Sequence, residues 1–132
     1  MKKAASIVVL ISGSGSNLQS IIEACQSDQI NGQIKRVISN RPKAFGLQRA
    51  SEAGIDTLCI DHTKFDSRSA FDAELAKRII ELNPDIVVLA GFMRILTPEF
   101  VAIFEGKLLN IHPSLLPKYP LLNTHHRPLA HC

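Results

Sequence analysis

Two unbroken apolar runs, Ile7-Val8-Val9-Leu10-Ile11 and Ile86-Val87-Val88-Leu89-Ala90, most constrain what this chain can fold into. A strand with one wet face alternates apolar and polar residues. A run without alternation indicates a strand covered on both faces. Helices provide that double cover when they connect parallel strands. The stretches between the runs carry helical spacing. Leu18, Ile21, Ile22 and Cys25 fall at i, i+3, i+4 and i+7, and Phe71, Leu75, Ile79 and Leu82 line one face of a second segment.

Weaker signals complete the alternation. Ile34, Val37 and Ile38 suggest a second strand ending at Ser39-Asn40, and Thr57 to Ile60 a third. Pro42 suits the first turn of a short helix over Ala44 to Ala53, with Gly54 as its stop. Asp61 to Arg68 is expected to be a polar loop, with Asp66 or Ser67 capping the next helix. Asn83-Pro84 ends that helix. Thr97-Pro98-Glu99 combines a cap residue, a first-turn proline and an acid, so a further helix starts there, and Gly106 stops it. Leu108 begins the last strand. Strands alternating with helices at this spacing predict an α/β fold, a three-layer doubly wound, mostly parallel sheet. Such sheets bind ligands at the C-terminal ends of their strands.

Three candidate segments follow strands. The first is Ser12-Gly13-Ser14-Gly15-Ser16-Asn17, a glycine-rich turn that opens a helix. This layout aims backbone N–H groups and a helix N-terminus at an anion. It lacks the lysine of a Walker loop and the third glycine of a dinucleotide turn. The residues leave a plain tight turn or a phosphate monoester site, and the short polar side chains favour the phosphate. The second is Gly91 to Leu96. The third is Leu108 to Pro117, which presents Asn110 and His112 two residues apart and hence on one side of an extended strand. A carboxamide can donate to a developing oxyanion, and an imidazole can carry a proton near neutral pH. The pair suits attack of an amine on a carbonyl, or else it serves only to satisfy turn backbone.

With 132 residues the chain fits one domain. Its formal charge of +3 is spread out, and it has one tyrosine and no tryptophan. A stacking platform for nucleic acid is therefore not expected, whereas phosphorylated small substrates are compatible. Cys25, Cys59 and Cys132 form no CxxC pair, and buried reduced thiols in a cytoplasmic protein are the simplest expectation. The five-residue run at Ile7 is too short for a signal segment or a membrane span.

The chain resembles the folate-dependent phosphoribosylglycinamide formyltransferase family. The matching pieces are Val8 to Gln19, Ala90-Gly91-Phe92-Met93-Arg94-Ile95-Leu96, and Leu109-Asn110-Ile111-His112-Pro113-Ser114-Leu115-Leu116-Pro117. The last piece is shared with other folate formyltransferases and with formyltetrahydrofolate hydrolase. The resemblance implies a Rossmann-like formyltransferase fold and formyl transfer from 10-formyltetrahydrofolate to the amine of glycinamide ribonucleotide. Gly15, Ser16 and Asn17 would hold the ribonucleotide phosphate. Arg68 and Met93, Arg94, Ile95 and Leu96 would contact the folate. Asn110 and His112 would be catalytic, with no metal.

Residues 1–120 would be an N-terminal α/β domain. Residues 121–132, where Leu121 stands in place of the family's usual glycine, would be an atypical tail, either a disordered terminus or the product of a truncation. The resemblance implies that family members continue for several elements beyond Pro120, including an aspartate beside the histidine, and those elements are expected to be missing here. Their loss would impair catalysis and expose a sheet edge for self-association. His125, His126, His131 and Cys132 lack zinc-motif spacing. Two alternatives remain: another formyltetrahydrofolate-using enzyme such as a hydrolase, and a non-catalytic fragment that binds a phosphorylated ligand.

Overall fold

A computed structural model describes residues 4–111. Strands β1 (Ala5–Ile11), β2 (Gly32–Ser39), β3 (Thr57–Cys59), β4 (Ile86–Leu89) and β5 (Leu108–Asn110) alternate with helices α1 (Ser16–Gln26), α2 (Phe45–Glu52), α3 (Arg68–Leu82) and α4 (Pro98–Ile103). The sheet order is β3-β2-β1-β4-β5. All four pairings are parallel, so the expected α/β doubly wound sheet is found, with no antiparallel strand among the described residues.

The unbroken apolarity of β1 follows from its central place between two helical layers. Ile7, Val9 and Ile11 face a core completed by Leu18, Ile21 and Ile22 of α1 and Ala50 of α2. Val8 and Leu10 face the opposite core, with Phe71, Leu75 and Ile79 of α3 and Phe100 of α4. These five β1 residues are no more than 1% exposed.

Helix ends follow the sequence signals in part. Ser67, not Asp66, caps α3 by accepting the Ala70 N–H at 3.0 Å, and Asn83 closes it in the left-handed region at φ 47°. Arg68 is therefore the first residue of α3 and not a loop residue. Thr97 caps α4 by accepting the Phe100 N–H at 3.2 Å, with Pro98 behind it as expected. Pro42 does not enter α2. It sits in a turn closed by the Ala44 N–H on the Arg41 carbonyl at 3.3 Å, and the helix starts at Phe45.

Strand β2 starts earlier than its apolar residues suggest. A register shift lets the exposed Lys35 sit opposite no β1 residue, since Ile7 pairs with Ile34 and Val8 with Arg36. The polar loop after β3 contains one tight helical turn, His62–Lys64, started by Asp61. The Thr63 hydroxyl and N–H donate to the Asp61 carboxylate at 2.7 and 3.0 Å and hold its pKa below the usual aspartate range.

The expectation of buried thiols holds only partly. Cys25 is half-buried and Cys59 is exposed, because β3 is an edge strand that turns Thr57 and Cys59 to its open side. Burial still raises both thiols above their usual pKa. Cys132 and the histidine-containing tail lie outside the described residues. No described helix is long and apolar enough to cross a membrane.

Leu75 is fully buried beneath β1 and β4, so Leu75→Ala is expected to cost about 2–5 kcal/mol in urea denaturation.

Candidate active site at the strand C-terminal edge

Parallel strands end on one edge, and the candidate segments meet there. Leu10 pairs with Leu89, and Leu89 with Asn110, so the ends of β1, β4 and β5 lie side by side. A cavity of about 210 Å³ opens at this edge. Its lining combines residues 12–17 with Arg41, Ala90, Gly91 and Met93. A larger cleft of about 390 Å³ runs between α3 and α4 and holds none of the expected site residues.

The glycine-rich turn is tied down from behind. The Gly13 carbonyl accepts the Gly46 N–H at 3.0 Å, and the Ser14 carbonyl accepts Arg49 Nε at 2.7 Å. Both acceptors are thus held by α2. Gly15 then adopts φ 79°, and its backbone packs directly on Gly46. A Cβ at Gly15 would lie 2.5 Å from the Gly46 Cα. Glycine is required twice over, by its dihedral angle and by contact. No side chain caps α1, and its first turn holds no acidic residue. That end of the helix therefore keeps its partial positive charge toward the cavity.

Ser16 is exposed and Asn17 half-buried at the start of α1. A Cβ built on Gly91 would approach Asn17 Nδ2 at 3.9 Å, so the first two segments are in register across the cavity. Residues 93–96 alternate in exposure. Met93 and Ile95 are 65% and 62% exposed, whereas Leu96 joins the α3–α4 core at 8%. Arg94 is half-buried, its guanidinium carbon 4.6 Å from the centre of the Phe71 ring. Arg68 is exposed on α3 and does not line the cavity. Asn110 is half-buried at the end of β5. His112 lies outside the described residues, so its shared face with Asn110 stays an expectation from strand geometry.

Arg41, absent from the sequence reading, belongs to this edge, as do Ser12 and Asn40, which that reading placed only in the turn and at a strand end. Arg41 lines the cavity, held by Ser39 Oγ, which accepts the Arg41 N–H at 2.9 Å and donates to the Arg41 carbonyl at 2.8 Å. Ser12 and Asn40 are buried and hydrogen-bonded to each other. Arg41 stands two residues after β2, and a search of the residues following each strand of a parallel sheet would have found it. Among the described residues, no cluster of three or more metal-ligating side chains occurs.

The geometry is that of a doubly wound protein with a glycine-rich turn and a carboxamide at neighbouring strand ends. The chain belongs to the formyl transferase family, whose description matches residues 5–132. It is 59% identical to Escherichia coli K12 phosphoribosylglycinamide formyltransferase over 123 residues, 93% of this chain and 58% of that protein. Glycinamide ribonucleotide transformylase 1 from Symbiobacterium toebii superposes with a TM-score of 0.81 at 47% identity, covering 89% of this chain and 55% of that one. The phosphoribosylglycinamide formyltransferase of Coxiella burnetii superposes at 0.80 with 52% identity, covering 88% and 55%. This chain thus spans somewhat more than half the length of these relatives.

Gly15→Ala is expected to destabilise the fold by at least about 2 kcal/mol, from left-handed strain plus overlap with Gly46. Gly54 shares a positive φ of 77° but has open space around it. Gly54→Ala is therefore expected to cost only the strain, about 1–2 kcal/mol, and urea denaturation of the two variants checks the difference.

Proposed function

We propose that this chain is the N-terminal part of a phosphoribosylglycinamide formyltransferase, with residues 1–120 forming its α/β domain. The reaction moves a formyl group from 10-formyltetrahydrofolate to the amine of glycinamide ribonucleotide, a step in purine synthesis. The observation that carries this reading is the shared strand edge, where an uncapped glycine-rich turn, an exposed Met93–Ile95 surface and Asn110 stand side by side.

The residues fit both ligands. Backbone N–H groups of Gly15, Ser16 and Asn17 would take the phosphate, and the positive end of α1 favours its charge. Arg41, which lines the same cavity, would supply a full positive charge. The exposed Met93 and Ile95 side chains suit the flat face of a pteridine, while the backbone polar groups of residues 93–96 suit its edge. Arg94 would act through its backbone, because its guanidinium is stacked on Phe71. Arg68, exposed at the start of α3, would reach the distal part of the folate.

Chemistry falls to Asn110 and His112. The substrate amine attacks the formyl carbon, and the formyl oxygen gains negative charge. The Asn110 carboxamide donates to that oxygen. The His112 imidazole takes the proton that the amine must lose and gives it to the folate N10 as the bond from N10 to the formyl carbon breaks and tetrahydrofolate leaves. In the full-length relatives further elements follow the segment matched here, and the rate of this chain depends on what they contribute.

The direct test is formyl transfer by the purified chain, followed as release of tetrahydrofolate in the presence of glycinamide ribonucleotide. Asn110→Ala is expected to lower the rate by about 10²–10³-fold, with ribonucleotide affinity changed far less. Arg41→Gln is expected to weaken ribonucleotide binding by about tenfold, and more at low salt than at high salt, in calorimetry. Ribonucleotide binding without transfer would favour the non-catalytic alternative. Loss of both would overturn the proposal.

A further inference from the structure

Ser12 and Asn40 are almost fully enclosed, at 2% and 1% exposure, and the proposed reaction assigns neither a role. Their hydrogen bonds cross between strands. Ser12 Oγ donates to Asn40 Oδ1 at 2.6 Å and accepts the Met93 N–H at 2.7 Å. A hydroxyl has one proton. Committing it to Asn40 leaves an oxygen lone pair directed at Met93.

Asn40 is itself held in place. Its N–H meets the Ile11 carbonyl at 3.4 Å, and its own carbonyl receives the His62 N–H at 3.3 Å. His62 Nδ1 lies 2.9 Å from that carbonyl and 3.3 Å from Asn40 Nδ2. One ring nitrogen cannot donate to the first and accept from the second at once. The shorter contact assigns Nδ1 a proton, given to the carbonyl. The ends of β1 and β2 and the segment after β4 are thereby linked through the Ser12 and Asn40 side chains, and the loop after β3 joins them at the Asn40 carbonyl.

Among the described residues, Met93 is the one point between Ala90 and Thr97 where the backbone is tied by a hydrogen bond. The next tie is the Thr97 N–H on Asp72 Oδ2 at 2.7 Å. Ser12 is also the first residue of the glycine-rich turn. The same residue that opens the anion pocket therefore anchors the segment forming the opposite wall.

We propose that Ser12, oriented by Asn40, is a positioning residue that fixes the 91–96 segment against the glycine-rich turn and so sets the donor surface relative to the phosphate pocket. Ser12 touches neither ligand in this assignment. Its effect passes through the Met93 backbone. The consequence for ligands rests on the formyltransferase reading, whereas the tether itself does not.

Amide hydrogen exchange of Met93, measured against Val9 in the same sample, tests the tether. Val9, in the centre of β1, reports general loosening. Ser12→Ala is expected to speed Met93 exchange by about tenfold relative to Val9, and Asn40→Ala to do the same by freeing the hydroxyl. Ser12→Thr, which retains the hydroxyl, should restore the wild-type ratio. Should Ser12→Ala fail to fold, the Asn40→Ala ratio decides. In calorimetry, Ser12→Ala should weaken tetrahydrofolate about fivefold or more while inorganic phosphate stays within about twofold. An unchanged Met93-to-Val9 ratio overturns the inference, as does equal weakening of both ligands. If the wild-type chain binds neither ligand, the formyltransferase reading fails and the exchange ratio alone decides whether Ser12 tethers the segment.

Discussion

Burial of β1 on both faces is the constraint on which the rest of this structure depends. Five consecutive side chains pack alternately into two separate cores, and each core is closed by helices that return the chain to the next parallel strand. Apolar burial stabilises by about 25 cal/mol per Å², so a strand with no wet face contributes more per residue than any edge strand can. The same arrangement leaves the backbone groups at the strand ends unpaired by the sheet. Polar groups collect there: of the buried polar side chains among the described residues, Ser12, Ser39 and Asn40 all stand at these strand ends.

That edge is a division of labour between backbone and side chain. The glycine-rich turn presents N–H groups because its Gly13 and Ser14 carbonyls are occupied by Gly46 and Arg49 of α2. The contact between Gly15 and Gly46 brings the two helices close enough for this, and a side chain at either glycine would separate them. On the other side, the 91–96 segment has no regular structure, and Ser12 ties it to the sheet. A hydrogen bond in such an enclosed place costs more to lose than it contributes when made, because the groups left behind have no water to replace it.

Charge is distributed to match. The formal +3 of the chain is not gathered into one patch, yet Arg41 lines the cavity at the strand ends, and among the described residues its side chain has no carboxylate partner. Arg94 and Arg49 instead lie over Phe71 and Phe45, where they serve packing as much as electrostatics. An arginine in a candidate segment therefore does not imply a ligand contact through its side chain.

The amino-acid sequence by itself determined the layering and the location of the polar edge. Unbroken apolar runs, helical spacing and cap residues such as Ser67 and Thr97 act over a few neighbours, so they can be read locally. It also marked Gly15, Asn17 and Asn110, because each follows a strand in a recognisable turn or pair. Tertiary structure alone decided that Cys59 faces outward, that Pro42 stays outside α2, that Arg94 stacks on Phe71, and that Ser12 reaches both Asn40 and Met93. These depend on which strand lies at an edge and which segments cross it. Contacts between residues 28 and 81 positions apart leave no periodic trace in the chain that makes them.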